Sequence, residues 1–197
     1  MKEQLQKDFD NTIKNLSLSQ KDIEIKKFSL DNFINKGFPN RREEDWKFSD
    51  LNQIINKNIG ELSFYNDYTS TNKVDTSVFV DGLEHNKIVF INGRIEKIDF
   101  DYEKKGQIEI IDQSETINKF DNNNSLSDLN NAFTNKCFKI VIKSGYQLLK
   151  PLIIYHTTNS KIWSKNINLR LDFELQDDSC LRLIDLFNAV SYTHLTL

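Results

Sequence analysis

The sequence has little of what identifies a secreted, membrane-spanning or disulfide-bonded protein. It contains 2 cysteines in 197 residues, far apart in the chain, so neither a disulfide framework nor a Cys-x-x-Cys metal site is present. No apolar run exceeds 4 residues, whereas a membrane span needs ~18. The first residues lack the apolar stretch of a secretion signal. These absences predict a cytoplasmic protein that does not enter membranes.

Charge and motif content exclude further classes of function. The 26 basic and 29 acidic residues give a net charge of −3, so the chain as a whole has no electrostatic preference for nucleic acid. The sequence contains no glycine-rich phosphate loop, no nucleophile elbow and no helix with paired metal ligands. We therefore assign no catalytic, cofactor-binding or metal-binding residue and expect that the protein is not an enzyme.

The strongest pattern is a series of short alternating runs in the last third of the chain. Residues 167–175 alternate apolar and polar without a fault, which predicts a strand with one face on a core and one in water. Similar runs cover residues 138–143, 152–156 and 181–187. Their midpoints are roughly 14 to 17 residues apart, a step typical of a coil that stacks strand on strand. We predict that residues 127–189 begin a β-helix.

Two amphipathic helices are predicted within an N-terminal helical region, residues 1–57. The first covers about residues 3–16, and its apolar stripe consists of Leu5, Phe9, Ile13 and Leu16. The second carries Phe28, Phe33 and Ile34 and ends where Gly37 supplies a C-cap, before Pro39. Their polar faces mix both signs of charge, so we expect both helices to pack on the protein's own body.

Residues 37–51 crowd two arginines, three carboxylates and a tryptophan into one turn. Arg41 and Arg42 have the chemistry to grip a phosphate or a carboxylate. The adjacent acids cancel the field that an anion would meet, so we favour ion pairs between these arginines and their neighbours Glu43, Glu44 and Asp45. The large apolar surface of Trp46 predicts that it is buried as a clamp that holds the helices to the body.

Two further short helices are predicted to begin at serine N-caps. Ser49 precedes a helix that carries Leu51, Ile54 and Ile55. Ser127 precedes a helix with Leu129, Ala132 and Phe133 on one face.

Between these helices, residues 58–120 form a connector that contains a hairpin. Asn92 and Gly93 separate the apolar runs 88–91 and 94–98, and both turn residues accept positive φ. A third strand at residues 107–111 is expected to pair with the hairpin. The polar stretch 121–127 has no periodic apolar residues and is the predicted domain boundary.

The isolated histidines and cysteines have ordinary structural interpretations. His85 lies in a polar loop, where we expect a solvated side chain. His156 ends a predicted strand, and a structural role is favoured over a role as metal ligand. Cys137 and Cys180 lie on two predicted strands and are expected to be buried, reduced thiols.

One polar stripe has two possible interpretations. Arg170, Asp172 and Glu174 share the outer face of one predicted strand. The stripe could bind a partner, but a solvated face is the more common explanation and is favoured here.

The segment 37–51 resembles the amino-terminal signature of the SufD branch of the SufB/SufD family of iron-sulfur cluster assembly proteins, Gly-Leu-Pro-x-Arg-Arg-x-Glu-x-Trp-Lys-Tyr-Thr-x-Leu. Phe38, Phe48 and Ser49 replace Leu, Tyr and Thr. The other signature positions match: Gly37, Pro39, Arg41, Arg42, Glu44, Trp46, Lys47 and Leu51. Residues 90–94 and 129–133 are similar to a Phe-Val-Asn-Gly-Arg run and a Leu-Asn-x-Ala segment of the same family, so the resemblance covers about residues 25–189.

The resemblance implies a non-catalytic scaffold subunit that binds no cofactor within this fragment. Its implied partners are a SufB-like subunit, which pairs with the β-helix by edge-to-edge strand addition, and a SufC-like ATPase. The ATPase-docking helices and the cluster-related residues of the family would lie beyond residue 189. The alternative class is a carbohydrate-active β-helix enzyme, which would carry carboxylates on one face over several turns. The missing carboxylate cluster, the missing secretion signal and the segment 37–51 weigh against this alternative.

The last eight residues, 190–197, resemble a translated transposase-adapter sequence. We expect that they are not part of the natural protein, so His194 has no claim to function. On this interpretation the natural gene continues past residue 189 with more strands and then helices.

Overall fold

The structure is a computed structural model that describes residues 2–14, 16, 18–58, 63–65, 73–114, 124–159, 162 and 165–189. The chain divides into two compact units. The first consists of Met1–Asn66, Asp112–Cys137 and Ser164–Arg170, and the second of Asp67–Ile111, Phe138–Trp163 and Leu171–Leu197. The adapter-like residues 190–197, with His194, lie outside the described residues, as do residues 121–123 of the predicted boundary.

The N-terminal region is helical, as the apolar spacing predicts. Helix α1 comprises Lys2–Lys14 and buries Leu5 and Phe9. It ends two residues before Leu16, which lies in a bend. Helix α2 comprises Gln20–Lys36.

Both ends of α2 have side-chain or backbone caps. At the start, the Ser19 hydroxyl accepts a hydrogen bond from the Asp22 N–H at 3.2 Å. At the end, Gly37 has a φ of 74°, and its N–H donates to the Phe33 carbonyl at 2.7 Å. A residue with a Cβ is strained at this φ, so the predicted glycine C-cap is confirmed. Phe28 lies on another face of the helix and is 49% exposed.

A 3-10 turn at Glu44–Trp46 precedes the short helix α3, Leu51–Asn58. The Asp50 carboxylate accepts a hydrogen bond from the Gln53 N–H at 3.0 Å, so Asp50 caps the helix. The predicted cap, Ser49, is therefore wrong by one residue. Serine and aspartate are about equally good N-caps, and the sequence alone does not separate two adjacent candidates.

Helix α4 comprises Ser125–Phe133 and has the predicted apolar face. Its cap is Asn124, whose side-chain oxygen accepts from the Leu126 N–H at 2.9 Å. The predicted cap, Ser127, is wrong because it lies inside the first turn. Asparagine is as good an N-cap as serine, and here the helix begins earlier.

The first unit closes around one hydrophobic core. The rings of Phe64 and Phe133 are stacked with centroids 3.6 Å apart, and Phe9 meets Phe133 edge-on at 6.2 Å. The buried members of the core are Leu5, Phe9, Leu30, Phe33, Phe38, Ile55, Phe64, Leu129, Ala132 and Phe133. The prediction that these helices pack on the protein's own body is confirmed.

Lys26 is fully buried at the C-terminal end of α4. Its Nζ donates to the carbonyls of Asn131 at 3.2 Å, Ala132 at 3.4 Å and Thr134. Carbonyls at a helix C-terminus lack partners within the helix and carry partial negative charge. Burial, opposed by the nearby Asp22, lowers the pKa of Lys26 to about 8.

The predicted hairpin is present in the second unit. Strand β1, Asn86–Ile91, pairs antiparallel with β2, Arg94–Asp99. Asn92 and Gly93 join them with φ values of 51° and 80°. Asparagine and glycine tolerate this backbone conformation best, so the turn residues are the ones that the hairpin requires.

A three-stranded sheet has the order β3-β4-β6. Its strands are β3, Ile108–Asp112, β4, Lys136–Ile142, and β6, Leu169–Leu175. The Gln107 carbonyl, just before β3, accepts from the Lys143 N–H, just after β4, at 3.0 Å. The predicted pairing of β3 with the hairpin is therefore wrong. Local alternation indicates a strand but does not specify its neighbour, which long-range packing decides.

The remaining strands extend the hairpin into a four-stranded sheet of order β2-β1-β5-β7. Strand β5, Leu152–Thr158, is parallel to β1 on one side and to β7, Leu183–Ala189, on the other. Residues 152–155 of β5 are at most 2% exposed. A strand between two neighbours in a mixed sheet can be covered on both faces, which agrees with its continuous apolar run.

Strands β4 to β7 alternate between the two sheets, with β4 and β6 in one and β5 and β7 in the other. The protein therefore has an α+β fold of N-terminal helices followed by two mixed sheets, as predicted at that level. No closed or solenoid β-helix is detected among the described residues. The β-helix stays a prediction.

Candidate interaction surface

Strand β7 lies at the edge of its sheet and leaves apolar side chains uncovered. Leu183 is 42% exposed, Ile184 38% and Phe187 78%. An edge strand has one row of N–H and C=O groups that the sheet does not pair. Such a strand can bind another strand through its main chain, with side chains adding specificity.

Three stacked rings lead across the sheet to this edge. Phe90, His156 and Phe187 occupy matching positions of β1, β5 and β7. The Phe90 and His156 centroids are 5.2 Å apart with an interplanar angle of 7°, and those of His156 and Phe187 are 4.5 Å apart at 9°. In-register parallel strands lie about 4.8 Å apart, which places equivalent rings one above another. Phe187 is therefore the exposed end of a ring stack.

The middle ring of the stack, His156, lies beside one carboxylate. His156 Nε2 lies 2.8 Å from Asp185 Oδ1, without the direction of a hydrogen bond. Burial lowers the pKa of His156 below its ordinary value, and the Asp185 carboxylate only partly opposes this effect. Its surroundings, two rings and one carboxylate, support the structural role that the sequence favours over metal ligation.

Strand β6, at the edge of the other sheet, does not have the predicted buried face. Residues 169–174 are all half-buried, and Leu175 is 49% exposed. The alternation of its sequence would bury one face only if another layer covered that face, and a neighbouring strand within the sheet does not supply such a layer. The odd-numbered residues are therefore no more buried than the even-numbered ones.

The polar stripe on β6 is engaged within the protein. Glu174 forms an ion pair with Lys139 of β4, whose ammonium also lowers the pKa of Glu174. Arg170 and Asp172 are half-buried. A cross-strand ion pair of this kind belongs to an ordinary solvated sheet face. The structure therefore gives no separate support to the stripe as a partner-binding site.

His85 is buried, so the prediction of a solvated loop residue is wrong. Its ring is 2% exposed. Nδ1 lies 2.5 Å from the Leu83 carbonyl, and Nε2 lies 2.7 Å from the Tyr155 hydroxyl. That hydroxyl also accepts the Val80 N–H at 3.0 Å. A carbonyl only accepts, so Nδ1 carries the proton and the tyrosine donates to Nε2. Four polar groups thus satisfy one another, which makes the burial possible.

The two cysteines differ in exposure. Cys137 is 5% exposed, as predicted, and lies on β4. Cys180 is exposed, so the prediction of a second buried thiol is wrong. It forms only a single-residue bridge with Gln147, before β7 begins. The backbone of Cys180 is paired there, but its side chain is exposed. Among the described residues, no group of three or more His, Cys, Asp or Glu side chains could hold a metal ion.

The prediction that Trp46 is buried as a clamp is also wrong. Trp46 is only partly buried and is not part of the core. The core position of this segment belongs to Phe38, which is 5% exposed and meets the Phe33 ring edge-on at 5.0 Å. Phe38 follows the helix end directly and faces the core, whereas the turn at Glu44–Trp46 runs along the surface.

The predicted ion pairs of Arg41 and Arg42 are absent from the part of the chain that the structure describes. Both side chains are exposed, and neither has a carboxylate of a described residue within 4.0 Å. The Glu43 carboxylate instead accepts from the Asn40 N–H at 3.1 Å and the Asn40 side chain at 3.3 Å. Neighbours in sequence do not face each other in a tight turn, so adjacency alone does not make an ion pair.

Sequence reasoning missed one polar cluster, centred on Glu103. Its carboxylate accepts from the Tyr146 hydroxyl and the Asn86 side chain at 2.6 Å each, and from the N–H groups of Leu149 and Lys150 at 3.1 Å each. Desolvation raises the pKa of Glu103, but these four hydrogen bonds outweigh it and lower the pKa below its ordinary value. The four donors lie 17 to 47 residues from Glu103, so no local pattern marks the cluster.

A shallow pocket of about 200 Å³ lies at the carboxyl ends of β1 and β5. Its floor is apolar, with Val89 and Ile91, and its rim carries Lys73, Asp75 and Asn159. The rim has no buried polar side chain that lacks a partner and no cluster of carboxylates. The pocket alone therefore identifies no ligand.

Comparisons with known proteins identify no family for this chain, so any functional assignment depends on its own residues. A scan against protein-family models finds no match, and a search of curated proteins finds no significant match. Within the described residues, no helix is both long and apolar enough to cross a membrane.

Proposed function

We propose that the chain is a SufD-like, non-catalytic scaffold subunit of a cytoplasmic iron-sulfur cluster assembly complex. The observation that carries the proposal is the strand edge at β7, whose side chains Leu183, Ile184 and Phe187 are exposed. This edge suits a protein that acts by pairing with another strand. The resemblance of residues 37–51, 90–94 and 129–133 to the SufD branch names the complex.

The strand order supports a β-helix that begins with these strands. Strand β7 starts 183 − 152 = 31 residues after β5 and pairs with it in parallel, residue for residue. Strand β6 starts 169 − 136 = 33 residues after β4 in the same sheet. A coil with two strands per turn would come back to each sheet after a nearly constant number of residues, as these strands do.

The proposed partners are a SufB-like subunit and a SufC-like ATPase. The SufB-like subunit would add a strand to the open edge of the coil, which is β7 in this chain and would be the edge of the last strand in a chain with further coils. The ATPase would join the same complex without contacting a residue that we can name here. The chain itself would hold no cofactor and would bind no nucleic acid.

Co-purification tests the proposal. The full chain is co-expressed with SufB-like and SufC-like subunits, and the complex is isolated through a tag on the SufB-like subunit. We expect the wild type to co-purify, and the double variant Ile184→Asp with Phe187→Asp to be lost, because two carboxylates on the edge oppose strand addition. Phe48→Asp is the control, since Phe48 is 89% exposed and belongs to the other compact unit.

Two outcomes would contradict the proposal. One is failure of the wild-type chain to co-purify with both subunits. The other is hydrolysis or cleavage of a polysaccharide by the purified chain, which would favour the carbohydrate-active β-helix enzyme. The described residues offer that alternative little support, because Glu109 and Glu174 pair with Lys143 and Lys139.

A further inference from the structure

The turn formed by residues 40–49 carries two large aromatic side chains that the core does not fully bury. Phe48 is 89% exposed, and the ammonium of Lys47 lies 5.0 Å from its ring centroid. Trp46 is only partly buried. Arginine and tryptophan are enriched among the residues that dominate binding energy at protein interfaces, and phenylalanine is enriched in interfaces generally. Aromatic surface that is left in water is unfavourable, so these two rings are candidates for contact with a partner.

The backbone of the 40–49 turn is fixed by its own hydrogen bonds. The Trp46 N–H donates to the Glu43 carbonyl at 2.9 Å, and the Ser49 N–H donates to the Trp46 carbonyl at 2.8 Å. The Arg42 N–H donates to the Asn40 side chain at 3.0 Å. A surface that is ordered before binding loses less entropy on association.

The charges of the turn select the class of partner. Arg41 and Arg42 have no ion pair within the described residues, and Glu44 and Asp45 are exposed beside them. Together with Glu43 and Lys47 these residues carry three positive and three negative charges. A strongly acidic partner would meet the carboxylates, and a strongly basic partner would meet the arginines. A surface with the same mixture of positive and negative charges can place opposite charges together, so it avoids both kinds of repulsion.

We propose that the 40–49 turn is a self-association surface, occupied by the same turn of a second copy of this chain. In a two-fold contact, a residue pair made in one direction is also made in the other. Arg41 and Arg42 of one copy would face Glu44 and Asp45 of its partner, around the exposed Phe48. About ten residues a side is less than the roughly 20 to 30 of a standard interface, so the dimer is weak. This proposal is independent of the strand addition at β7.

Charge reversal in two complementary variants tests this contact. Sedimentation equilibrium of the full chain, from low micromolar to near-millimolar concentration, measures the dimer dissociation constant. We expect a wild-type dimer, and at least about tenfold weaker association for Arg41→Glu with Arg42→Glu and for Glu44→Arg with Asp45→Arg, because like charges then meet. An equimolar mixture of the two variants should recover association. Phe48→Ala should weaken the dimer in the same direction.

The control is Lys104→Glu with Lys105→Glu, which makes the same change in net charge as the arginine variant at another exposed turn. It should leave the dissociation constant within about twofold of wild type. A wild-type chain that stays monomeric over the whole range overturns the proposal. So does a dimer that survives both charge reversals but is lost in Ile184→Asp with Phe187→Asp, since β7 would then be the contact. Failure of the mixture to associate likewise overturns it.

Discussion

Strands β5 and β7 are paired residue for residue, yet one is interior and the other lies at an edge. Ile153 of β5 faces Ile184 of β7 in the register, but Ile153 is 0% exposed and Ile184 is 38% exposed. Both runs are apolar enough to predict a strand. The sequence pattern therefore identifies a strand. The number of neighbouring strands decides how much the strand contributes to stability and how much surface it offers to a partner.

The largest expected effect comes from truncating the paired isoleucines. Ile153→Ala should lower the free energy of unfolding by about 2 to 5 kcal/mol, because it leaves a cavity in a closed interior. Ile184→Ala, the matched change at the edge, should cost less than about 1 kcal/mol, since its side chain is already partly in water. Urea denaturation measures both. Equal costs would contradict the contrast between interior and edge.

The same contrast applies to charge in α2, where Lys26 is buried and Lys27 is exposed. The pKa of Lys26 is lowered to about 8, so above that pH the unfolded chain binds more protons than the folded one. Wild type should therefore gain stability relative to Lys26→Met as pH rises from about 8 to 10.4, by at most about 3 kcal/mol. Denaturation at several pH values checks this.

Buried and exposed tyrosines should differ by a smaller amount. Tyr155→Phe removes the hydroxyl that binds His85 and the Val80 N–H, which leaves buried polar groups unpaired. We expect a loss of about 2 kcal/mol in the free energy of unfolding. Tyr102 is 38% exposed, and Tyr102→Phe should cost below about 0.5 kcal/mol. Similar losses for the two variants in thermal or urea unfolding would show that the buried network is not held together by Tyr155.

The smallest effect is expected for carboxylates. Glu103→Gln should cost about 1 kcal/mol at neutral pH, because the amide keeps one acceptor oxygen and places an NH2 donor against the donors that faced the other oxygen, at a site that is partly solvated. The pKa of Glu103 is lowered in the folded state, so the stability that it contributes is present above its ordinary pKa and is lost as pH falls through the folded value. The difference between wild type and Glu103→Gln should therefore shrink on acidification.

The exposed Glu109, paired with Lys143 at 2.6 Å, provides the control for this measurement. Glu109→Gln should change the free energy of unfolding by less than about 0.5 kcal/mol at neutral pH. A pH-independent difference for Glu103→Gln would mean that its donors do not discriminate between carboxylate and amide.

What could be predicted from the sequence is local. The helices around Leu5 and Leu129, the hairpin at Asn92 and the strand at Leu152 follow from periodicity and turn chemistry, which act over a few residues. The N-caps were missed by one to three residues because neighbouring polar residues compete for the same N–H groups.

What could not be predicted depends on distant parts of the chain. His85 is buried because Tyr155, 70 residues later, supplies a partner for its ring. Strand β3 pairs with β4 and not with the nearby hairpin. Trp46 stays near the surface because Phe38 already fills the core position of that segment. In each case the sequence shows the chemistry of a residue but not which distant residue it contacts in the folded chain.

The buried ammonium of Lys26 has a consequence for the order in which the protein forms during synthesis. Its acceptor carbonyls lie 105 to 108 residues later in the chain. Since a ribosome releases roughly 5 to 20 residues each second, the leading helices spend several seconds or more without the segment that completes their core. Until Thr134 has emerged, those helices expose apolar stripes to the cell, and a chaperone that shields them would act on the first part of the nascent chain.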